Sequence, residues 1–357
     1  ALPIYVAHRR ERLEQQMGRA HIEPQALLPR QPQVGRHQGR EAQVGQHHRH
    51  QQHAGRQAAD PEDADRQQQN LIEINDDFDR LARQVPVLVN LMPSGQFLME
   101  EFFEAGGLPV VMKEIEKHLH MEHITVSGKS VKENVKDAVN YREDVIFPAA
   151  KPFKEPGSGI VVLKGTLAPD GCVLKVSAAT PELLVHTGRA VVFESIDEYL
   201  VAAEDPNLDI TKDDIIVMKH AGPKGFPGFP EVGNMPLPRK ILEQGVTDMI
   251  RISDARMSGT AYGTVLLHTS PEAELGGPLA LAKTGDQIKL DVPNRRIDIL
   301  VSDEEMAKRK AAWKPQTPKY NRGWGKLYYE TVQQAHLGAD LDFLRGASGS
   351  KTPRESH

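Results

Sequence analysis

The sequence holds a single cysteine, Cys172, in 357 residues. An internal disulfide is therefore excluded, and so is a zinc or iron–sulfur site built from the cysteines of this chain alone. No run of 18 or more apolar residues occurs, which leaves no candidate for a membrane-spanning helix. No positively charged start leads into an apolar stretch, so no secretory signal is visible and a cytoplasmic location is expected. The net charge is -5, and without a basic footprint nucleic-acid binding is not expected. No phosphate loop and no Gly-x-Gly-x-x-Gly after a strand is present, so nucleotide binding lacks support. A Gly-x-Ser-x-Gly elbow is also missing, which argues against a hydrolase nucleophile.

What is there is uneven. Residues 1–70 have no Lys, Phe or Trp, yet hold 14 of the 21 glutamines and 7 of the 15 histidines. Gln33-Val34-Gly35-Arg36-His37 returns as Gln43-Val44-Gly45-Gln46-His47. Apolar residues there follow neither helical nor strand periodicity, so the segment cannot bury enough surface to offset its ordering entropy. It is expected to be a low-complexity leader, either disordered or an out-of-frame translation, that is no part of the fold.

Ordinary globular sequence starts near Leu71. Ser94-Gly95 predicts the start of a helix through Phe97, Leu98, Phe102 and Phe103, with Gly106-Gly107 at its end. Pro109 predicts the first turn of a second helix. Val131, Val135 and Val139 at i, i+4, i+8 predict a third. Pro148, Pro152 and Pro156-Gly157 mark a linker. Strand-like runs follow at 160–163, 173–176, 190–193, 215–218, 249–252 and 264–267. Alternation at Ile288, Leu290, Val292 and at Ile297, Ile299, Val301 around Pro293-Asn294 predicts a hairpin. Ser302-x-x-Glu305 predicts a helix over 303–312, and the tail has one near 326–337. The expectation is an α+β chain in three parts. These are a leader (1–70), a helical segment with linker (71–150), and a β-barrel-like domain with its tail (151–357).

Two loops carry candidate chemistry. Residues 222–230 place three glycines and three prolines in nine positions, a tightly turned loop that ends on Glu231. A carboxylate there suits a hard cation such as Mg2+, or it simply sits in the first turn of a following helix. The second loop is Ser253-Asp254-Ala255-Arg256-Met257-Ser258-Gly259-Thr260-Ala261-Tyr262-Gly263, after an apolar strand. Such strand-end loops are where sites are commonly built. Ser258 is either an exposed reactive hydroxyl or a turn serine bonding its own backbone. His268 on its own is better read as a satisfied histidine than as a ligand. Lys224 and Arg256 could each pair with a substrate carboxylate.

The two loops, with His268-Thr269-Ser270-Pro271-Glu272-Ala273 and Gly276-Gly277-Pro278, resemble the dihydroxy-acid dehydratase and sugar-acid dehydratase family. The likeness includes Met92-Pro93-Ser94-Gly95, Leu167-Ala168-Pro169-Asp170-Gly171 and the ending Pro353-Arg354-Glu355-Ser356-His357. Asp254-Ala255-Arg256-Met257-Ser258-Gly259-Thr260 is similar to the pentonate branch, whose members dehydrate arabinonate or xylonate. The resemblance implies an N-terminal α/β domain holding an iron–sulfur cluster, [2Fe-2S] favoured over [4Fe-4S], and most of the Mg2+ ligands. A swivelling, barrel-like C-terminal domain closes over it. It further implies Glu231 as a Mg2+ ligand, Ser258 as the base, Thr260 beside it, and His357 near the substrate. The implied reaction is a hydro-lyase step on a small sugar acid that gives a 2-keto-3-deoxy acid, in a full-length enzyme that is a homo-oligomer, dimer or tetramer. Dihydroxy-acid dehydration in branched-chain amino-acid synthesis is the alternative, and a non-catalytic barrel that only binds partners is another.

The departure from the family is large. Its cysteine motifs have no counterpart here, and Cys172 matches no ligand. The chain is therefore expected to be a C-terminal portion that is inactive alone, with Glu231 and Ser258 on one face of the barrel.

Overall fold

A computed structural model describes residues 74–318 and 320–344. The leader over 1–70 and His357 lie outside the described residues, which all belong to the unit Ala58–His357. Eight strands form one sheet. They are β1 (Ile160–Leu163), β2 (Gly171–Lys175), β3 (Val185–Phe193), β4 (Ile215–Met218), β5 (Arg251–Ser253), β6 (Val265–Ser270), β7 (Gln287–Asp291) and β8 (Arg296–Ile299). Their order is β1-β2-β6-β5-β4-β3-β7-β8. The central β3, β4, β5 and β6 run parallel, and the flanking pairs are antiparallel.

The two edges of this sheet meet. Lys164 bridges to Arg296, and its N–H donates to the Arg295 carbonyl at 3.0 Å. The sheet is thus a nearly closed barrel, which leaves little unpaired edge. Alternate residues of all eight strands point inward to one core, among them Val161, Leu174, Ala190, Val217, Ile252, Leu266, Leu290 and Ile297. A second core lies outside the parallel strands. Phe193, Ile216 and Met218 pack there against Tyr199 of α5 (Ile196–Ala203) and Ile241 of α6 (Arg239–Leu242). Covered on both faces, β4 is apolar at all four positions, as buried parallel strands are. The hairpin strand β7 has one face in water and alternates.

Ahead of the barrel stand α1 (Ile74–Ala82), α2 (Met99–Glu104), α3 (Gly107–Glu114) and α4 (Val131–Val135). α2 and α3, with the chain at 145–146, enclose a small core of Ala105, Val110, Val145 and Ile146, while α1 packs on β1. Asp79 of α1 accepts from Arg295 at 3.0 Å, which ties this segment to the barrel seam. α7 (Pro278–Leu281) lies between β6 and β7, and α8 (Asp303–Ala312) and α9 (Gly323–Thr331) follow β8.

Several boundaries differ from expectation. The helix expected from Ser94-Gly95 begins only at Met99, because the Asn90 side chain takes the Gln96 N–H and Leu91 bridges to Phe97. α4 ends at Val135, and Val139 is exposed, so the Val spacing overestimates its length. β3 extends back to Val185 because β7 supplies partners for its polar first half. The tail helix lies at 323–331, earlier than expected, and 335–337 forms a separate short turn.

Gly165 sits at the seam. A Cβ placed on it would come 1.9 Å from the Ile297 carbonyl oxygen, which is backbone and cannot swing away. Gly165→Ala is expected to open the seam and destabilise the barrel by about 1–3 kcal/mol, read from the denaturant midpoint. An unchanged midpoint would show that the seam adds nothing to stability.

Candidate active site

Parallel strands put their carboxyl ends at one rim, and in open parallel sheets that is where ligand sites form. Here each of four adjacent strands ends on ionisable residues. Glu194 follows β3, Lys219 and His220 follow β4, Asp254 follows β5, and Pro271-Glu272 follows β6. Among the described residues six non-glycine positions have positive φ, and three of them belong to this rim: His220, Phe229 and His268. A side chain in the left-handed region costs energy, so such positions persist where the surroundings fix them and often mark function.

The rim rests on buried carboxylates. Asp254 has no solvent exposure and accepts from the Ala221 and Ala273 N–H groups, each at 2.9 Å. Glu272 accepts from the Lys224 N–H at 3.0 Å, the Gly225 N–H at 2.9 Å and the Gln334 side-chain amide. His220 contacts Glu274 at 3.1 Å and Glu194 at 3.6 Å, and Lys219 pairs with Glu194 at 2.7 Å. The Tyr329 hydroxyl donates to Glu274 at 3.1 Å, and Lys224 Nζ donates to the Tyr329 carbonyl at 2.7 Å. These bonds hold the Gly/Pro loop and α9 on one support. They are the candidate-site features that sequence reasoning missed, because what sets these carboxylates apart is their burial.

The protonation states follow. Burial, reinforced by Asp254, pushes the Glu272 carboxyl up to about 7 against the opposing pull of its amide donors. Burial also raises Asp254. Burial disfavours a charged His220, but the carboxylates of Glu194 and Glu274 outweigh it and hold the imidazole up at about 9. His268 goes the other way. Burial, then Arg256, brings it down to about 4, so it is neutral, with its ring 5.4 Å from that of Phe229.

The residues expected to carry chemistry lie above this support. Glu231 is 45% exposed and stands in a bend, not in a helix, since the next helix starts at Arg239. Its carboxylate faces the Arg256 guanidinium at 3.6 Å. Arg256 Nε also donates to the Phe229 carbonyl at 2.6 Å, and the Arg256 carbonyl accepts from the Gly233 N–H at 2.9 Å. The two loops are therefore in direct contact two residues before Ser258. Ser258 is half-buried, and its Oγ lies 2.9 Å from Thr260 Oγ1. The Thr260 N–H points back at that Oγ from 3.4 Å. Lys175 Nζ donates to the Gly259 carbonyl at 3.1 Å, which pins the loop tip to β2. Lys224 is spent on the Tyr329 carbonyl, so of the two cations considered for a substrate carboxylate only Arg256 stays at the exposed face.

The donors do not complete a metal or cluster site. Among the described residues Glu231 belongs to no group of three His, Cys, Asp or Glu donors. Cys172 lies inside the barrel, and burial pushes its thiol up to about 12, where it is no thiolate ligand.

Glu272 makes stability depend on pH. Its folded-state value of about 7 lies above the ordinary 4.5, so the folded chain holds a proton that the unfolded chain has lost. Stability then falls as pH rises from about 4.5 to 7, by at most about 1.4 kcal/mol per pH unit. Glu272→Gln is expected to flatten this window in urea titrations run at stepped pH. An equal slope in the variant would show that Glu272 titrates normally.

Residues 144–339 match the family model described as dihydroxy-acid/6-phosphogluconate dehydratase C-terminal, and 66–134 match the corresponding N-terminal model. The chain is 59% identical over 284 residues to an L-arabinonate dehydratase of Rhizobium leguminosarum bv. trifolii, covering 79% of this chain and 49% of that protein. A 6-deoxy-6-sulfo-D-gluconate dehydratase of Pseudomonas putida is 45% identical over 76% of this chain and 47% of its own length. A dihydroxy-acid dehydratase of Carboxydothermus hydrogenoformans is 43% identical over 72% and 46%. The chain spans about half the length of these curated relatives. With more than half of its residues inside the C-terminal model, it belongs to the dihydroxy-acid/6-phosphogluconate dehydratase family.

Proposed function

We propose that this chain is the C-terminal portion of a sugar-acid dehydratase, a hydro-lyase acting on a pentonate such as L-arabinonate. The observation that carries the reading is the direct contact of the Glu231 and Ser258 loops through Arg256, in a chain 59% identical over 284 residues to an L-arabinonate dehydratase. Dehydration removes a proton from the carbon next to the carboxylate and hydroxide from the next carbon. The resulting enol becomes a 2-keto-3-deoxy acid and water is released. Ser258 Oγ, having lost its own proton to solvent, is the group we assign to take the proton. Thr260 Oγ1, 2.9 Å away, can donate to that oxygen while it carries the negative charge, before the proton is taken. Glu231 is assigned to a metal ion and His357, outside the described residues, to the substrate. The family resemblance implies Mg2+ and an iron–sulfur cluster, but the residues described here do not by themselves fit either group. Domain 71–150 is assigned as the end of the N-terminal domain, and 151–357 as the barrel that swivels over it in a homo-oligomer.

A non-catalytic barrel is the second reading, favoured by two observations. The lone cysteine is sealed in the core, and Glu231 has a guanidinium rather than a second carboxylate beside it.

Ser258→Ala is expected to separate chemistry from folding. In an enzyme completed by the N-terminal half of the L-arabinonate dehydratase it resembles, kcat should fall about 10²–10⁴-fold. The unfolding free energy should move by no more than about 0.5 kcal/mol. Keto-acid formation and denaturant titration read the two quantities, and an unchanged kcat rules out the role.

The chain alone should not turn over. Mg2+ keeps its waters unless several oxygens replace them, and a cluster normally needs several thiolates. Residues 71–357, supplied with iron, sulfide and Mg2+, are expected to give neither visible cluster absorbance nor keto acid from arabinonate or xylonate. Both signals together would show that the chain is a complete catalyst.

A further inference from the structure

The function proposed above uses Glu231, Ser258 and Thr260, and leaves a buried carboxylate, Glu272, without a role. We propose that Glu272 is a positioning residue: its paired bonds with Gln334 fasten the tail to the Gly/Pro loop and so set where Glu231 stands. The inference rests on that function only for the importance of Glu231.

Glu272 is 1% exposed, and both its oxygens are engaged. Oε2 takes the Lys224 and Gly225 N–H groups at 3.0 and 2.9 Å. Oε1 takes the Gln334 side-chain amide, and the Glu272 N–H donates back to Gln334 Oε1 at 2.9 Å. One amide side chain thus satisfies both the backbone and the carboxylate of a residue 62 positions away. The loop is shaped for this approach. A Cβ on Gly222 would come 2.6 Å from Glu272 Oε2. Lys224 makes a second tie to the tail through the Tyr329 carbonyl. From the anchored amides the loop continues through the Phe226 N–H to Gly222 carbonyl bond and the Phe229 N–H to Phe226 carbonyl bond, each at 2.9 Å. Phe229 then presents its carbonyl to Arg256, whose guanidinium faces Glu231. A fixed path therefore joins Glu272 to Glu231 with no direct contact between them. A residue needed only for packing would not have a carboxylate shared among three separate N–H donors in a buried site.

Backbone amide exchange on the full chain tests this. In Glu272→Gln the new amide faces the amide of Gln334, donor against donor. The Lys224 and Gly225 amides and those of 334–341 should exchange at least about tenfold faster, while β4 and β5 keep their protection. Exchanging the partners, Glu272→Gln with Gln334→Glu, restores one carboxylate and one amide and should recover most of the lost protection. Should Glu272→Gln fail to fold, Gln334→Ala, which leaves the buried carboxylate in place, is expected to give the same local pattern. Unchanged exchange at Lys224 and Gly225, or a loss spread through β4 and β5 that the exchanged pair does not reverse, would overturn the proposal. Because the readout is the loop itself, an inactive role for Ser258 or Glu231 would leave this pattern untouched, and the two ideas fail separately.

Discussion

A carboxylate with no solvent contact must have its oxygens filled by protein donors, and Asp254 sets the arrangement of the rim through that requirement. It sits one residue beyond β5 and takes backbone N–H groups from the loops after β4 and β6. Three consecutive parallel strands are thereby joined at their ends by two hydrogen bonds to one side chain. Removing it would leave two buried N–H groups without partners, which is costlier than the net worth of the bonds themselves. The left-handed His220 and His268 flank these bonds, and each lies within two residues of a strand end. A strained backbone at such a place needs a rigid partner, and the buried carboxylate is one.

The barrel makes this possible by closing. Parallel strands have to be covered on both faces, and here the inner face meets the barrel core while the outer face meets α5 and α6. The bridge between Lys164 and Arg296 closes the seam over an apolar interior, and Gly165 lets the chains approach closely enough to form it. An apolar interior also explains Cys172. Its thiol is held neutral by burial and packs as a small apolar side chain.

Much of the fold was legible locally. The apolar runs at 160–163 and 215–218 and the capped helix at 303–312 form as their patterns predict, because each contains its own signal. The first half of β3 was not legible. Val185-His186-Thr187-Gly188-Arg189 has no apolar alternation, and pairing with β7 about a hundred residues later makes it a strand. The same holds for the site. Glu231, Ser258 and Thr260 stood out from their loops and from a family resemblance. Glu272 and Asp254 did not, because what distinguishes them is burial, and burial is a property of the whole fold. No local rule connects Glu272 to Gln334.

The division of labour between these two sets of residues has a physical reason. Groups proposed to act on a substrate or a metal ion need exposure, and Glu231, Arg256 and Thr260 are exposed. Exposed side chains on a Gly/Pro-rich loop are poorly fixed by their own contacts, and a surface ion pair such as Glu231–Arg256 contributes little. Catalytic geometry nevertheless tolerates small displacements badly, since an error near 1 Å can cost about a hundredfold in rate. Fixing the loops from beneath resolves the conflict. Asp254 and Glu272 act on backbone N–H groups, so they set the path of the loops without occupying the face where a substrate would lie. Buried hydrogen bonds are also less exposed to competition from water and salt than the pair above them. The rim can therefore remain ordered while its outer groups stay open to whatever completes the site.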